Sequence, residues 1–511
     1  MPCTTILVGK NASYDGSTMI ARNDDSGSGH YTPKKFAVVQ PSEQPRHYKS
    51  VLSHVEIDLP DDPMRYTCVP NVLEGEGIWA AAGVNAAEVA MTATETITSN
   101  ERVLGADPLV EYVPAEKSAD SREHAGGIGE EDIVVLTLPY IHSAREGVQR
   151  LGSILEQYGT YEMNGIAFAD VNEIWWLETI GGHHWIARRV PDDAYVMMPN
   201  QLGIDVFDLD DAFGAQKEYM CSADLKEFIE KNHLDLSLDG ILDPRAAFGS
   251  HDDADHVYNT PRAWFIGRYF NRHTYSWDGP DAYFTPESDD IPWCLVPERK
   301  ITPEDVKYVL SSHFQGTPYD PYASYGPEKW RGAYRSIGVN RTDFLAMMQI
   351  RPDMPVGCRA VEWLCFASNA FNTWIPLYTN INNVPEYLSS TGEHVSTDNF
   401  YWNSRLIAAL ADAGYRTCLN HIEHYQLAVQ SKGHENLDKY DPLLKTAAEK
   451  VASGDAETGN AASIGDEVTA LCEKANQEIT DELRACGEKT LDKLVFEVSN
   501  LMKNSYSRSD A

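Results

Sequence analysis

The sequence predicts an α+β fold with a helical C-terminal region. Three observations carry that expectation. The first ~200 residues read as pairs of β-favouring runs joined by turn signals. Helical patterns interrupt these pairs without alternating strictly with single strands. Beyond about residue 400 the β-favouring runs stop and helical spacing takes over.

The first pair is residues 4–8 with 18–22, separated by Asn11-Ala12-Ser13-Tyr14-Asp15-Gly16-Ser17, where Asp15-Gly16 is the turn signal. Residues 78–84 and 89–96 form a second pair around Asn85, and 165–170 with 173–179 a third. Residues 185–190 and 195–198 read as a fourth hairpin, turning at Pro191-Asp192-Asp193. Residues 143–158 put Val148, Leu151, Ile154 and Leu155 on one helical face, and 222–232 is a further helix. The Pro-, Asp- and Tyr-rich stretch 277–327 reads as long loops, broken by a helix start capped by Thr302 ahead of Glu304 and Asp305. Residues 406–427 are helical in spacing. So is a second run through Val468, Leu471, Cys472, Ala475, Ile479, Leu483 and Cys486, with a small-residue acidic linker at 453–466 between them. The last eight residues are polar and expected to fray. The domain expectation is a removed segment 1–2, a catalytic α+β domain 3–400 and a helical region 401–511.

Composition narrows the function classes. The 511 residues carry 77 Asp plus Glu against 42 Lys plus Arg, a formal net charge of −35. Nucleic-acid binding rests on neutralising phosphates with basic side chains, so it is excluded, as is an anionic membrane surface. Nine cysteines at 3, 68, 221, 294, 358, 365, 418, 472 and 486 lack Cys-x-x-Cys spacing and do not form a compact disulfide framework. No basic-then-apolar leader and no apolar stretch of about 18 residues is visible. A reducing cytoplasm is the expected location and a homo-oligomer the expected assembly.

Cys3 is the first chemically suggestive residue. If Met1 and Pro2 are removed, its thiol and a free α-amine share one residue. An α-amine has a pKa near ~8, so it can take the thiol proton and serve as the base. From its position alone, Cys3 reads first as a small buried strand residue. The segment Ile20-Ala21-Arg22-Asn23-Asp24-Asp25 adds weight. In an antiparallel pair, the end of this strand lies beside the start of the first. Arg22 can then stabilise the thiolate, and a neighbouring carboxylate can orient the ammonium form of the amine.

These residues carry a resemblance. The run Cys3 to Lys10, followed by Asp15 to Asp25, resembles the opening of the dipeptidase A family of cysteine peptidases, and more distantly penicillin V acylase and bile salt hydrolases. Gly83-Val84-Asn85, Met198-Pro199-Asn200-Gln201, Tyr258-Asn259-Thr260-Pro261-Arg262, the run Arg335 to Arg341 and the run Asn372 to Tyr378 extend it to about residue 430. The resemblance implies an N-terminal-nucleophile hydrolase with a four-layer αββα fold, self-processing, and hydrolysis of dipeptides of broad side-chain type without a cofactor or metal. It implies Cys3 as nucleophile and base, Arg22 beside the thiolate, and Asp25 rather than Asp24 as the amine-orienting carboxylate. Asp24 is then a substrate-binding candidate. Asn200 falls at the oxyanion asparagine, and Arg262 at the late arginine of the site, with Arg268 close by. Ten residues beyond Asn85, where the bile salt hydrolases carry an asparagine, stands Glu95. It is expected to pair with the α-ammonium of a dipeptide.

The rivals are an acylase of N-acyl amides and a metal-dependent dipeptidase. For the latter, His183-His184, or His251 and His256 with Asp252, Asp253 and Asp255, are the conceivable ligands. No His-Glu-x-x-His spacing accompanies them. Gly126-Gly127-Ile128-Gly129 is followed by Glu130-Glu131-Asp132 and reads as a loop and helix cap, not a phosphate cradle. No papain-like signature surrounds any cysteine. Cys472 and Cys486 fit a packed helix face, and Trp175, Trp176 and Trp330 read as core and pocket wall.

Overall fold

A computed structural model describes residues 3–452 and 461–504. The expected removed segment 1–2 and residues 505–511 of the polar tail lie outside the described residues, as does much of the expected linker. The first hairpin forms as anticipated. Thr4–Val8 pairs antiparallel with Thr18–Asp25, and the turn uses Gly16 at a φ of 83°. That strand continues three residues past the expected end, to Asp25. It is buried along its whole length, flanked by Thr4–Val8 on one side and Thr342–Ile350 on the other. A central strand buried on both faces ordinarily reads as an apolar run. This one ends in Arg22-Asn23-Asp24-Asp25, so each of those groups needs a partner in the interior.

Seven strands form the first sheet, in the order Cys294–Leu295, Tyr195–Met198, Thr4–Val8, Thr18–Asp25, Thr342–Ile350, Ala360–Phe366 and Ile375–Tyr378. Six form the second, ordered Tyr219–Cys221, His184–Arg189, Ile174–Ile180, Asn164–Ala169, Ala90–Thr96 and Ala82–Val84. Every pairing in both sheets is antiparallel. The second and third expected hairpins lie in the six-stranded sheet. The fourth does not form. His184–Arg189 stays in the six-stranded sheet, whereas Tyr195–Met198 crosses to the other sheet and pairs with Thr4–Val8. The cause lies at Pro191-Asp192-Asp193. The carbonyl of Asp192 accepts from the backbone of Asn11 and Ala12, which fastens the link to the first hairpin's turn.

The two sheets face each other, with Thr18–Asp25 against Ala90–Thr96 and Asn164–Ala169. Helix Ala144–Tyr158 covers the outer side of the six-stranded sheet. Ser143 caps it by accepting from Glu146 N at 3.1 Å, and its buried residues are those the spacing indicated. Gly152 is required there, because a Cβ would sit 2.3 Å from the Trp185 ring. Helix Pro303–Leu310, capped by Thr302, and helix Thr260–Phe270 lie on the seven-stranded sheet.

The expected helix 406–427 is two helices, Phe400–Ala413 and Tyr415–Ala452, separated at Gly414. They pack with Ala461–Asn500 beside Ile375–Tyr378, the edge of the seven-stranded sheet. There the Asn476 side chain accepts from Tyr378 N at 2.8 Å and donates to Tyr378 O at 2.9 Å. A strand edge that would otherwise offer unpaired backbone is thereby covered. Cys472 is buried at this face, and none of the nine cysteines is in a disulfide. No helix among the described residues is long and apolar enough to cross a membrane.

Candidate active site

Cys3 precedes the strand Thr4–Val8. In that hairpin Thr4 pairs with Asn23 and Thr5 with Arg22, so the next step of the register sets Cys3 opposite Asp24. Side chains alternate between faces along a strand. Cys3, Thr5, Arg22 and Asp24 therefore share the face turned toward the six-stranded sheet. Arg22 Nη2 lies 3.0 Å from Cys3 Sγ, 2.9 Å from Asp24 Oδ1 and 2.6 Å from Glu130 Oε1. Its Nη1 donates to the Ala81 carbonyl at 3.3 Å. Lys34 Nζ sits 3.3 Å from Asp24 Oδ2, and the thiol is 3.9 Å from Asp24 Oδ1. Cys3, Arg22, Asp24, Lys34 and Glu130 are all 0% exposed.

The electrostatics follow. Burial lowers the proton affinity of the Arg22 guanidinium, but Cys3, Glu130 and Asp24 outweigh it and hold Arg22 firmly charged. Burial also acts to raise Asp24; Lys34 and Arg22 outweigh that too and keep its carboxyl below the usual range. Cys3 goes the other way. Burial pushes its thiol up, Arg22 opposes this, and Asp24, Glu95 and Glu130 reinforce it. With its nitrogen in an amide, the sulfur stays a thiol. One arginine does not ionise it against three carboxylates.

Glu95 stands at the end of Ala90–Thr96, across from the same face. Its Oε2 accepts from Thr5 Oγ1 at 2.8 Å, while its buried Oε1 has no hydrogen-bond partner among the described residues. Burial pushes its carboxyl up to about 8, against the pull of Arg262, Thr5 and Arg22.

Asn200 follows Tyr195–Met198. Met198 pairs with Thr5, so two further steps carry Asn200 beside Cys3. The Asn200 carboxamide donates to Thr96 O at 3.0 Å and accepts from Arg262 Nη2 at 2.8 Å. Arg262 is in the first turn of Thr260–Phe270, behind Pro261. Its Nη1 donates to the Cys3 carbonyl and, at 2.7 Å, to Thr4 Oγ1. Its Nη2 also donates to Asn259 Oδ1 at 2.5 Å, and its Nε to Tyr258 O at 2.8 Å. These partners are neutral oxygens. Burial, helped by Arg335, brings Arg262 down to about 9. Arg268 is remote from this cluster and pairs with Asp278 at 2.8 Å.

Asp25 is also buried, and both its oxygens are engaged. Oδ1 accepts from Thr342 Oγ1 at 2.5 Å, and Oδ2 from Arg335 Nη2. The carboxylate against the thiol is thus that of Asp24, one residue earlier. The strand's alternation and the bulge at Thr342/Phe344 give Asp25 a different set of partners. Asn85 of the Gly-x-Asn turn serves structure. It donates to Leu138 O and Ile141 O at 2.8 and 2.7 Å, and accepts from Ala87 and Val89 N.

Sequence reasoning missed Glu130, Lys34 and Ala81. Glu130 is the first residue of helix Glu130–Thr137, where it reads as a partner of the helix dipole. Its side chain instead reaches the Arg22 guanidinium. Ala81 has a φ of 59° and Trp79 of 48°, and the expected strand 78–84 shortens to Ala82–Val84. This costly backbone turns the Ala81 carbonyl onto Arg22. Gly83 lies where a Cβ would be 1.8 Å from Thr67 O. His183 and His184 both hydrogen-bond to Asp107, at 3.0 and 2.7 Å, and His256 to Asp289 at 3.0 Å. Among the described residues no three His, Cys, Asp or Glu side chains converge as metal ligands would.

Residues 2–428 match Peptidase family C69. The chain is 55% identical to a protein named dipeptidase from Bifidobacterium longum, over the full length of both. It is 51% identical to a probable dipeptidase A of Streptococcus pyogenes, again over both full lengths. With dipeptidase A of Lactobacillus helveticus it shares 42% identity over 99% of each chain.

Proposed function

Since this chain belongs to peptidase family C69 and is a peptidase, we propose that it is a cysteine dipeptidase of the N-terminal-nucleophile class. Cys3 is its nucleophile once residues 1 and 2 are gone. The observation that carries this is the pair Cys3 Sγ–Arg22 Nη2 at 3.0 Å, sealed at the head of a central strand. The facing sheets with helices on their outer sides fit the αββα sandwich of that class.

The chemistry needs the liberated amine. Burial and three carboxylates hold the thiol protonated despite Arg22. A free α-amine on the same residue accepts that proton. The thiolate attacks the scissile carbonyl, forming a C–S bond. The ammonium then returns the proton to the departing amino group as the C–N bond breaks. Water hydrolyses the thioester, and the amine again takes the proton. The Asp24–Glu130 pair holds Arg22 in place, and Asp25 or Asp24 steadies the ammonium. Asn200 and backbone N–H groups receive the oxyanion, with Asn200 turned by Arg262. Glu95 receives the substrate's α-ammonium: its Oε1 has no partner among the described residues, and it lies across from the nucleophile's face. That preference separates a dipeptidase from an acylase of N-acyl amides.

Intact mass and N-terminal sequencing of active enzyme test the premise. The expected first residue is Cys3, and Cys3→Ala loses dipeptide hydrolysis by at least about 10⁴-fold. Active enzyme that keeps Met1-Pro2, or an undiminished Cys3→Ala variant, refutes the mechanism.

A further inference from the structure

We infer that the guanidiniums of Arg335 and Arg341, gathered around Tyr258 beside the nucleophile, form the subsite for the C-terminal carboxylate of the dipeptide. The inference rests on the dipeptidase reading above and assigns the other end of the same substrate.

The first ground is a local excess of positive charge in a strongly acidic chain. The guanidinium carbons of Arg262 and Arg335 lie 5.1 and 5.0 Å from the Tyr258 ring centre. Arg341 Nη2 donates to Tyr258 Oη at 3.0 Å. Among the described residues Arg335 pairs with a carboxylate, the buried Asp25, and no ion pair joins Arg262 or Arg341 to one. Arg262 is bound to neutral oxygens alone. Arg341 forms no ion pair with any described carboxylate, and its buried Nε has no hydrogen-bond partner among the described residues. Like charges gathered away from water repel, and an entering anion relieves them. Arg262 registers that repulsion directly, since Arg335 adds to burial in lowering it.

The second ground is position. The loop from Arg335 to Arg341 is fastened at the end of the sheet where Cys3 stands. Ser26 N donates to Arg341 O at 3.0 Å, and Arg335 N to Val257 O at 3.1 Å. Thr342, the next residue, pairs with Asp25. Cys3 leads the strand Thr4–Val8, which lies two positions from Thr342–Ile350 in the sheet. At ordinary strand spacing that is about 10 Å between backbones, within reach of an arginine side chain. The substrate's two termini are themselves about 6 Å apart, with the scissile carbonyl between them. Glu95 and the Arg335–Arg341 pair would then hold the two termini of one substrate at the end of the sheets where Cys3 stands. Each additional residue of a longer peptide moves its carboxylate about 3.5 Å further out, past these guanidiniums. The same pair therefore restricts the enzyme to two-residue substrates.

The test compares one dipeptide with its C-terminal amide, using enzyme whose mass confirms Cys3 as first residue. Wild type is expected to favour the free dipeptide in kcat/KM by about a hundredfold. In Arg341→Gln that preference drops by about tenfold or more, chiefly through KM, and Arg341→Lys recovers part of it. Wild type that cleaves both substrates equally, or a preference untouched by Arg341→Gln, overturns the subsite and leaves the dipeptidase reading standing. Wild type that cleaves neither, yet cleaves N-acyl amides, overturns both.

Discussion

Arg22 and Arg262 are both fully buried and both hydrogen-bonded to Cys3, yet their surroundings are opposite. Arg22 is caged by Asp24 and Glu130, with Glu95 and Lys34 close by. Arg262 is caged by amide and hydroxyl oxygens and faces a second arginine. In the first region carboxyl groups outnumber cations only through the largely protonated Glu95, and in the second guanidiniums outnumber their carboxylate partners. A cation is welcome on one side of the nucleophile and an anion on the other. The proposed reaction needs that polarity, because an ammonium forms on Cys3 while an oxyanion forms on the substrate.

The largest difference between the two regions concerns stability. Arg22→Met leaves buried Asp24 to Lys34 and takes the guanidinium away from buried Glu130. Breaking a buried pair this way typically costs about 3–5 kcal/mol, even where the intact pair adds little. Denaturant unfolding should show that loss, together with a fall in kcat of about 10³-fold. Adding Glu130→Gln should return part of the stability but none of the activity, a coupling that a double-mutant cycle reads directly. A cost below about 1 kcal/mol for Arg22→Met would show that the carboxylate cage does not depend on it.

Arg262→Gln should separate the two properties. It strips donors from neutral oxygens only, so the stability cost is about 1–3 kcal/mol. Asn200 loses the donor that turns it, and kcat should fall by about 10²-fold. If Arg262→Gln unfolds the protein as readily as Arg22→Met, the contrast between the cages fails.

Glu95 brings pH into the comparison. Burial pushes its carboxyl up to about 8, so at pH 7 it is mostly protonated. An α-ammonium, itself titrating near ~8, is mostly charged at that pH. Pairing favours the ionised carboxylate and draws its affinity for the proton down, so binding at pH 7 should release close to one proton. Calorimetry of an uncleavable dipeptide analogue in buffers of different ionisation enthalpy measures this. Glu95→Gln should abolish the release and raise KM for free dipeptides by about ten- to a hundredfold. N-acetylated dipeptides should lose far less. Binding enthalpies that are independent of the buffer refute the assignment.

The cationic and anionic sides were unequally legible in the sequence. Cys3, Arg22 and Asp24 stand on two strands joined by a short turn, and antiparallel pairing with a period of two suffices to bring them together. Asn200 was anticipated by resemblance, although the strand before it was assigned to the wrong partner. The cross from one sheet to the other at Pro191 leaves no periodic trace. Glu130 was visible only as one acid in a run of three, all consistent with a helix start. Nothing local says that its side chain points inward. The choice between Asp24 and Asp25 depends on a bulge in a strand more than three hundred residues away. The arginine cluster around Tyr258 joins two distant segments, Tyr258 to Arg262 and Arg335 to Arg341, and their pairing has no local signature.

The smallest expected effect concerns the arginine that sequence alone could not separate from Arg262. Arg262 and Arg268 occupy one helix, six residues apart. At 100° per residue they project about 120° apart, so they cannot serve the same site. Arg268 pairs at 2.8 Å with Asp278, whose side chain is 61% exposed, and lies over the Trp264 ring. Water screens the ion pair, and the ring contact is worth under about 1 kcal/mol. Arg268→Gln should therefore shift stability by no more than about 1 kcal/mol and leave kcat/KM within about twofold of wild type. A loss of activity comparable with that of Arg262→Gln would mean that the positive charge acts on Cys3 through the general field of the helix. The hydrogen bonds from Arg262 to the Cys3 carbonyl and Asn200 would then not be what orients the site.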